Sequence, residues 1–380
     1  MAAFAASPMR CGGCGAKVGA TVLSRVLKTI RERAGEEVDV DMDDCAVVEG
    51  PPGGCMMVHT VDFFRSFLSD PFVFGRVSAI HALSDCHAML AQPSTALALA
   101  VAPYAASENI TMDTLVQMLS GASDALKEDG CKLVGGHTCE GAELSLGFAV
   151  NGFVKKEKVK RKRGGNIGDK IVLTKPIGTG ALFAAEMRGK CSGLDRAEGI
   201  KWMCTSNGMA SREVMDESNG WKINACTDVT GFGVAGHLIE MLDYDAGVGA
   251  KIFLNEVPFL NGAIAAAKLE VFSSLQKSNS NNRRGVKNHA VVAKVDAIKY
   301  PLLFDPQTSG GLLFMIEKDQ AEDFVKKMKK IGYEDSAVIG ELVVIEKKAS
   351  DLVAKVDGEE GFGEVCSLAG KPVLEIVGWE

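Results

Sequence analysis

One feature restricts the fold of this chain more than any other. Strand-period and helix-period segments alternate, stop at a basic, glycine-rich stretch, and then start again. "CAVVEG" (45–50) and "CMMVHTVDFF" (55–64) flank a Pro-Pro-Gly-Gly turn and read as two strands. "FGRVSAIHALSDCHAML" (74–90) reads as a helix and "STALALAVA" (94–102) as a buried strand. Residues 113–129 read as a second helix, stopped by Gly130. "CKLV" (131–134) and "ELSLGFAVNGFV" (143–154) read as strands, the latter alternating Leu144, Leu146, Phe148 and Val150. The order is β-β-α-β-α-β-β. "KKEKVKRKRGGNIGD" (155–169) follows as the junction, and "KIVLTKP" (170–176) opens a second half. That half runs through "INACTDVTGFGVAGHLIEML" (223–242) to strands near "GGLLFMIE" (310–317) and "SAVIGELV" (336–343). Upstream, Val22, Leu23, Val26, Leu27 and Ile30 share one face of a helix over 20–33. The expected architecture is therefore α/β (α+β): a flexible N-terminal segment (1–40), an N-terminal domain (41–165) and a C-terminal α/β domain (166–380).

Length and composition agree. The 380 residues suffice for two domains, and 47% hydrophobic with 24% charged residues is ordinary globular composition. The formal net charge of -7 argues against nucleic acid or an anionic membrane as partner. The basic run at 155–163 is most simply a solvated face, with nuclear import as the alternative. Eleven cysteines, an odd number at scattered spacings, fit reduced thiols and a cytoplasmic protein. The start "MAAFAASPMR" lacks a signal-peptide pattern, and no apolar run is long enough to span a bilayer.

Chemistry concentrates in a few places. No P-loop is present, and "GFGVAG" (231–236) lacks the acidic residue that a dinucleotide site needs about twenty positions on, so it reads as a glycine-rich helix start. Asp43, Asp44, Asp62, Asp85 and Asp228 each border or enter an apolar element, where a carboxylate is costly unless paired or metal-bound. Hard oxygen ligands of this kind suit Mg²⁺ with substrate phosphates. In "RCGGCGAKVG" (10–19), Cys14 precedes Lys17 and a predicted helix, an arrangement that favours a thiolate. A zinc clip or a redox pair with Cys11 stays open from the residues alone. His59, His81 and His87 read as core histidines, whereas His137 follows Gly135-Gly136 in what reads as a ligand loop after a strand.

Together these stretches resemble selenophosphate synthetase (selenide, water dikinase), a family with the aminoimidazole ribonucleotide synthetase-like fold. The resemblance covers most of the chain, from about Cys11 to about Val344, and rests on "CGGCGAK", "DDCAVV", "TVDFF", "FGRVSAIHALSDCHAM", "LVGGHT", "TKPIGTG", "TDVTGFGVAGHL" and "FDPQTSGGLLF", in that order. It implies synthesis of selenophosphate from selenide, ATP and water, releasing AMP and orthophosphate, with Mg²⁺ and K⁺ required. It also implies a homodimer whose N-terminal sheets pack together, and leaves room for a selenium-delivery protein. Carried over residue by residue, Cys14 and Lys17 are the essential pair, and Asp44, Asp85 and Asp228 are magnesium ligands. Asp62 is a further ATP-site and metal-site carboxylate. Met42 and Asp43 contact the nucleotide, and Gly135, Gly136, His137 and Thr138 form a phosphate-side loop. The chain departs from the family pattern at His81, where many members carry asparagine, and at Cys11. Two alternatives remain: another ATP-dependent phosphotransferase of the same fold, or a thiol-based selenium or metal carrier. For Asp305 the residues suggest a structural role only.

Overall fold

The computed structural model of the chain describes residues 45–49, 54–105, 107–345 and 373–378. The helix expected at 20–33, and with it Cys11, Cys14, Lys17, Met42, Asp43 and Asp44, lies outside the described residues.

The first lobe is a five-stranded mixed sheet in the order β1-β2-β5-β3-β4, with β1 Ala46–Glu49, β2 Cys55–Arg65, β3 Gln92–Pro103, β4 Lys132–Gly141 and β5 Ser145–Lys155. Helices α1 (Pro71–Ala88) and α2 (Glu108–Glu128) cover one face. Alternation along β3 decides which residues face them: Ala96, Ala98, Ala100 and Ala102 are buried, while Leu97 and Leu99 point to the other, open face. Helix α1 begins earlier than expected because Asp70 accepts a hydrogen bond from the Val73 N–H at 3.1 Å and Pro71 occupies the first turn. The two helices meet at glycines. A Cβ on Gly75 would lie 1.8 Å from the Met118 carbonyl oxygen, and one on Gly121 would lie 2.0 Å from that of Phe72.

The element order matches the sequence reading, but β4 does not stop at Val134. It runs on to Gly141, in parallel register with β3, so that Leu97 faces Gly135 and Ala98 faces Gly136. Residues 135–138 are therefore strand and not a loop. The register shifts between Ala96 and Leu97, which leaves Val134 as the extra residue of a bulge. A Cβ on Gly136 would meet the Ala98 carbonyl oxygen at 2.1 Å, so this glycine serves close strand approach rather than a turn.

The second lobe is a six-stranded sheet in the order β11-β8-β10-β6-β9-β7: β6 Lys170–Leu173, β7 Ile223–Asp228, β8 Val248–Phe253, β9 Leu312–Ile316, β10 Ala337–Val344 and β11 Leu374–Val377. Helices α3 (Thr179–Glu186), α4 (Gly193–Met203), α5 (Gly208–Met215) and α6 (Gly233–Met241) pack around it. The core does not divide between lobes. One apolar cluster joins Val58, Phe148 and Ile80 to Leu182, Phe183 and Trp202, and the Phe67 and Phe183 rings meet edge-on at 5.3 Å.

The basic run is tied into this second lobe. Lys160 Nζ donates to the Ile223 carbonyl at 2.5 Å, Lys162 pairs with Glu240 at 3.3 Å, and Arg163 Nε donates to the Glu240 carbonyl at 3.2 Å. Lys158 pairs with Glu217 at 2.9 Å. These cations brace β7 and α6 instead of forming a free polybasic face. Among the described residues, no helix is long and apolar enough to cross a membrane.

Candidate active site

The seam between the lobes is built from two elements of the first. On β2, Thr60 and Asp62 point to the helix side, two residues apart on the same face. On α1, His81 and Asp85 lie one turn apart on the face that meets them. Thr60 Oγ1 donates to Asp85 Oδ2, and His81 Nε2 lies 3.7 Å from Asp62 Oδ2. Two rungs thus connect strand and helix, each with one carboxylate. Phe64 packs edge-on against the His81 ring at 5.3 Å, and the imidazole is fully buried.

The His81 tautomer follows from its other partner. Nδ1 accepts the Ser309 N–H at 3.1 Å, so in the neutral ring the proton sits on Nε2 and faces Asp62. Ser309 belongs to a strap, residues 305–311, that crosses from the second lobe. Its Oγ donates to the Val77 carbonyl at 3.2 Å, and its own carbonyl accepts from Lys175 Nζ at 3.1 Å. Lys175 also donates to the Thr205 carbonyl. Burial depresses the Lys175 ammonium to about 7, against the opposing pull of the Asp228 charge. Asp228 ends β7, is 1% exposed, and pairs in register with Leu312 immediately beyond the strap.

The strap itself is held by a nonlocal helix cap. Gln307 Oε1 accepts the N–H groups of Gly178 at 2.7 Å and Thr179 at 3.0 Å, and Asp305 Oδ2 accepts that of Ala181 at 2.8 Å. Burial pushes the Asp305 carboxyl up to about 7, although the hydrogen bond from the Ala181 N–H acts the other way. Gly233 has φ +71°, and a Cβ there would lie 2.9 Å from the Asp305 and Leu303 carbonyl oxygens. The glycines of "GFGVAG" therefore let a helix start press against the strap. Asn207 completes the seam: its Nδ2 donates to Ser84 Oγ and to the Gly310 carbonyl, both at 2.9 Å.

Asp62 and Asp85 thus meet through the rungs between β2 and α1, and Asp228 ends β7, which packs against α1. Among the described residues, no group of three or more His, Cys, Asp or Glu side chains is placed to hold a metal ion. His137 and Thr138 sit exposed on the edge strand β4. His87 pairs with Asp129 at 3.3 Å, both buried, and His59 contacts Asn151 Oδ1 on the open sheet face at 2.5 Å. Sequence reasoning missed Lys175, Ser309 and Gln307. The only trace of them was the pair of motifs "TKP" and "FDPQTSGG", whose chemistry had no local explanation.

Residues 42–154 match the family model "AIR synthase related protein, N-terminal domain", and residues 166–352 match its C-terminal counterpart. The selenide, water dikinase of Clostridioides difficile is 34% identical over 335 residues, which cover 87% of this chain and 93% of that protein. The chain belongs to the selenide, water dikinase family. The enzyme of that name from Bdellovibrio bacteriovorus is 32% identical over 341 residues, 89% of this chain and 95% of that protein. Among solved structures, the HypE–HypF complex (18% identity, TM-score 0.58, 83% of this chain and 93% of that chain) shares the fold. So does thiamine monophosphate kinase from Aquifex aeolicus (16% identity, TM-score 0.57, 84% of this chain and 94% of that chain).

Proposed function

We propose that this chain makes selenophosphate. In the first step the selenide nucleophile attacks the γ-phosphorus of ATP, a Se–P bond forms, the β,γ-bridging P–O bond breaks, and ADP leaves. Water then attacks the β-phosphorus of that ADP, the α,β-bridging P–O bond breaks, AMP leaves, the water proton passes to solvent, and orthophosphate remains. The observation that carries the reading is the pair of rungs Thr60–Asp85 and His81–Asp62 at the lobe seam, in a chain whose relatives named above are dikinases of selenide and water.

The donor chemistry fits Mg²⁺. The carboxylates of Asp62, Asp85 and Asp228 are hard oxygen ligands carried by separate elements. Mg²⁺ is bound by one or two carboxylates plus substrate phosphates, not by a closed protein cage. Bound there with Asp44, the ion would neutralise phosphate charge and orient the γ-phosphorus. The chain's own residues supply position. Thr60 sets the Asp85 rotamer, the His81 N–H faces Asp62, and Lys175 places a buried cation near Asp228. Cys14 holds the selenide nucleophile beside the γ-phosphorus without forming an S–Se bond, Lys17 adds positive charge beside the transferred group, Met42 and Asp43 meet the nucleotide, and Gly135 to Thr138 lie on the phosphate side.

A homodimer through the open face of the first sheet belongs to the same reading. Val61, Phe63, Leu97, Leu99 and Val134 are all exposed on it, and a contiguous apolar face of this kind marks an interface.

The test is to incubate the protein with ATP, Mg²⁺ and anaerobic selenide and follow phosphorus NMR. Selenophosphate and AMP should appear together, and Cys14→Ser should abolish both while leaving ATP binding intact. ATP turnover that ignores selenide and Cys14 would replace this reading with another phosphotransferase.

A further inference from the structure

Helix α2 carries two apolar stripes where a helix packed on one side needs one. The first, Met118, Gly121, Ala122, Ala125 and Leu126, is buried. The second, Met112, Leu115, Val116 and Leu119, repeats at helical spacing but lines a groove of about 880 Å³. Met112 is 55% and Val116 58% exposed, while Leu115 and Leu119 are partly buried against the core, so the outer half of this stripe is uncovered among the described residues. Glu108 and Glu140 line the same groove, and no basic side chain does. Along the whole of α2, the four acids Glu108, Asp113, Asp124 and Glu128 face a single base, Lys127.

We infer that this groove is the docking site of residues 20–33 of the chain. Three observations select that occupant. Its apolar positions, Val22, Leu23, Val26, Leu27 and Ile30, form one helical face that needs a partner surface. Its charges complement the groove: Arg25, Lys28, Arg31 and Arg33 against the lone acid Glu32. The connection is also long enough. Residues 34–44 lead from this segment to Cys45, and eleven residues span at most about 36–40 Å. The described chain resumes at β1, on the opposite edge of the sheet from β4. Four strand spacings between those edges amount to about 19 Å. Helix α2 lies on the sheet face opposite Leu97 and Leu99, so a dimer through that open face leaves the groove accessible.

The docking has a functional consequence that rests on the proposed function. Cys14 and Lys17 lie just before residue 20, and Glu140 lies two residues beyond Thr138 on β4. A segment held in the groove delivers the thiol and the cation to the β4 edge instead of leaving them to a diffusive search.

The test uses the full chain without ATP or selenide. Carbodiimide coupling should join Lys28 to Glu108 or Glu140, and the isopeptide-linked peptides are read by mass spectrometry. Mixing isotope-labelled and unlabelled chains should give links within one chain only; links found only between labelled and unlabelled chains overturn the assignment. Leu27→Asp and, separately, Met112→Asp with Val116→Asp should each reduce the link at least tenfold while circular dichroism stays unchanged. Coupling of Lys28 only to acids elsewhere, or a link indifferent to these substitutions, overturns the inference. The selenophosphate assay on the same samples reports on the proposed function separately, because the cross-link needs no turnover.

Discussion

Replacing Asp129 with asparagine removes a buried charge that holds the two lobes together. Asp129 follows α2 in the first lobe and is 2% exposed. Its carboxylate accepts from His87 Nε2 at 3.3 Å within its own lobe, and from Ser206 Oγ and Arg212 Nη1, the latter at 3.0 Å, across the seam. Burial alone would raise this carboxyl. The hydrogen bond and charge of His87, with those of Ser206 and Arg212, outweigh it and hold Asp129 well below the usual carboxylate range. Removing one partner of a buried pair costs roughly 3–5 kcal/mol. The Arg212 side chain is 43% exposed and can turn to water, which lowers the expected loss to about 2–4 kcal/mol. At roughly 2 °C per kcal/mol for a unit this large, Tm falls by about 4–8 °C. The sign of the pH dependence follows from linkage. The folded pKa is depressed, so the contribution is fully present above the unfolded value of about 3.9 and is lost as pH falls through the folded value. Urea unfolding of both proteins from pH 8 downward should therefore show a constant gap to about pH 4.5 that narrows below about pH 4. A gap under about 0.5 kcal/mol at pH 7, or one that already closes between pH 7 and 5, would refute the assignment, because another group would then be setting it.

Gly75→Ala should lower Tm in a calorimetric scan. Its Cβ meets the Met118 carbonyl oxygen at 1.8 Å, and overpacking of about 1–3 kcal/mol exceeds the gain in helix propensity of at most about 1 kcal/mol. His81→Asn keeps an acceptor for the Ser309 N–H and should preserve stability and the KM for ATP. His81→Leu leaves that N–H buried without its acceptor, costs about 1–3 kcal/mol, and should lower kcat in the selenophosphate assay beyond any effect of the asparagine. Asp305→Asn should gain on the wild type as pH rises. The wild-type carboxyl sits at about 7 when folded, so between pH 4 and 7 its stability falls by about 1.4 kcal/mol per pH unit, a loss the neutral amide does not share. Unfolding midpoints that stay parallel from pH 5 to 8 would sink that prediction.

What the sequence made legible was local. Alternation placed Asp62 late in a strand and put Asp85 in a helix, and the run of elements in the first lobe was readable from period and punctuation. The rungs between them were not, because Thr60–Asp85 and Asp62–His81 depend on how α1 lies across β2. Gly135-Gly136 looked like loop punctuation. Parallel pairing with β3 overrode it, since a glycine after a β-branched residue serves a bulge as readily as a turn. Lys175 gave no hint of burial, because the carbonyls that receive its ammonium come from Thr205 and Ser309, the second of them 134 residues away. The strap was opaque for the same reason. A helix cap is sought just before the helix, whereas Gln307 caps α3 from 128 residues downstream. The basic run read as solvated surface, and only tertiary structure reveals that Glu240 and the Ile223 carbonyl receive its charges.

Ser309 explains why the carboxylates of the two lobes hold a fixed relation. Its φ of 49° lies in the left-handed region, which costs a non-glycine residue on the order of 1–3 kcal/mol and persists only where surroundings over-determine it. Here they do. The N–H donates to His81, the carbonyl accepts from Lys175, and the hydroxyl donates to Val77, so every polar group of one buried residue is used. Glycine would relieve the backbone but lose the bond to α1. From this residue one path runs through the His81 ring to Asp62 and the other through Lys175 to the charge of Asp228. A movement of one lobe that separated Asp62 from Asp228 would have to break a bond at Ser309 and leave its partner buried without a replacement. On the proposed reading a triphosphate is held between these lobes, and positioning to within a fraction of an ångström governs phosphoryl transfer. The bonds at Ser309, which outweigh its backbone strain, are then what tie the two lobes together before the substrate arrives.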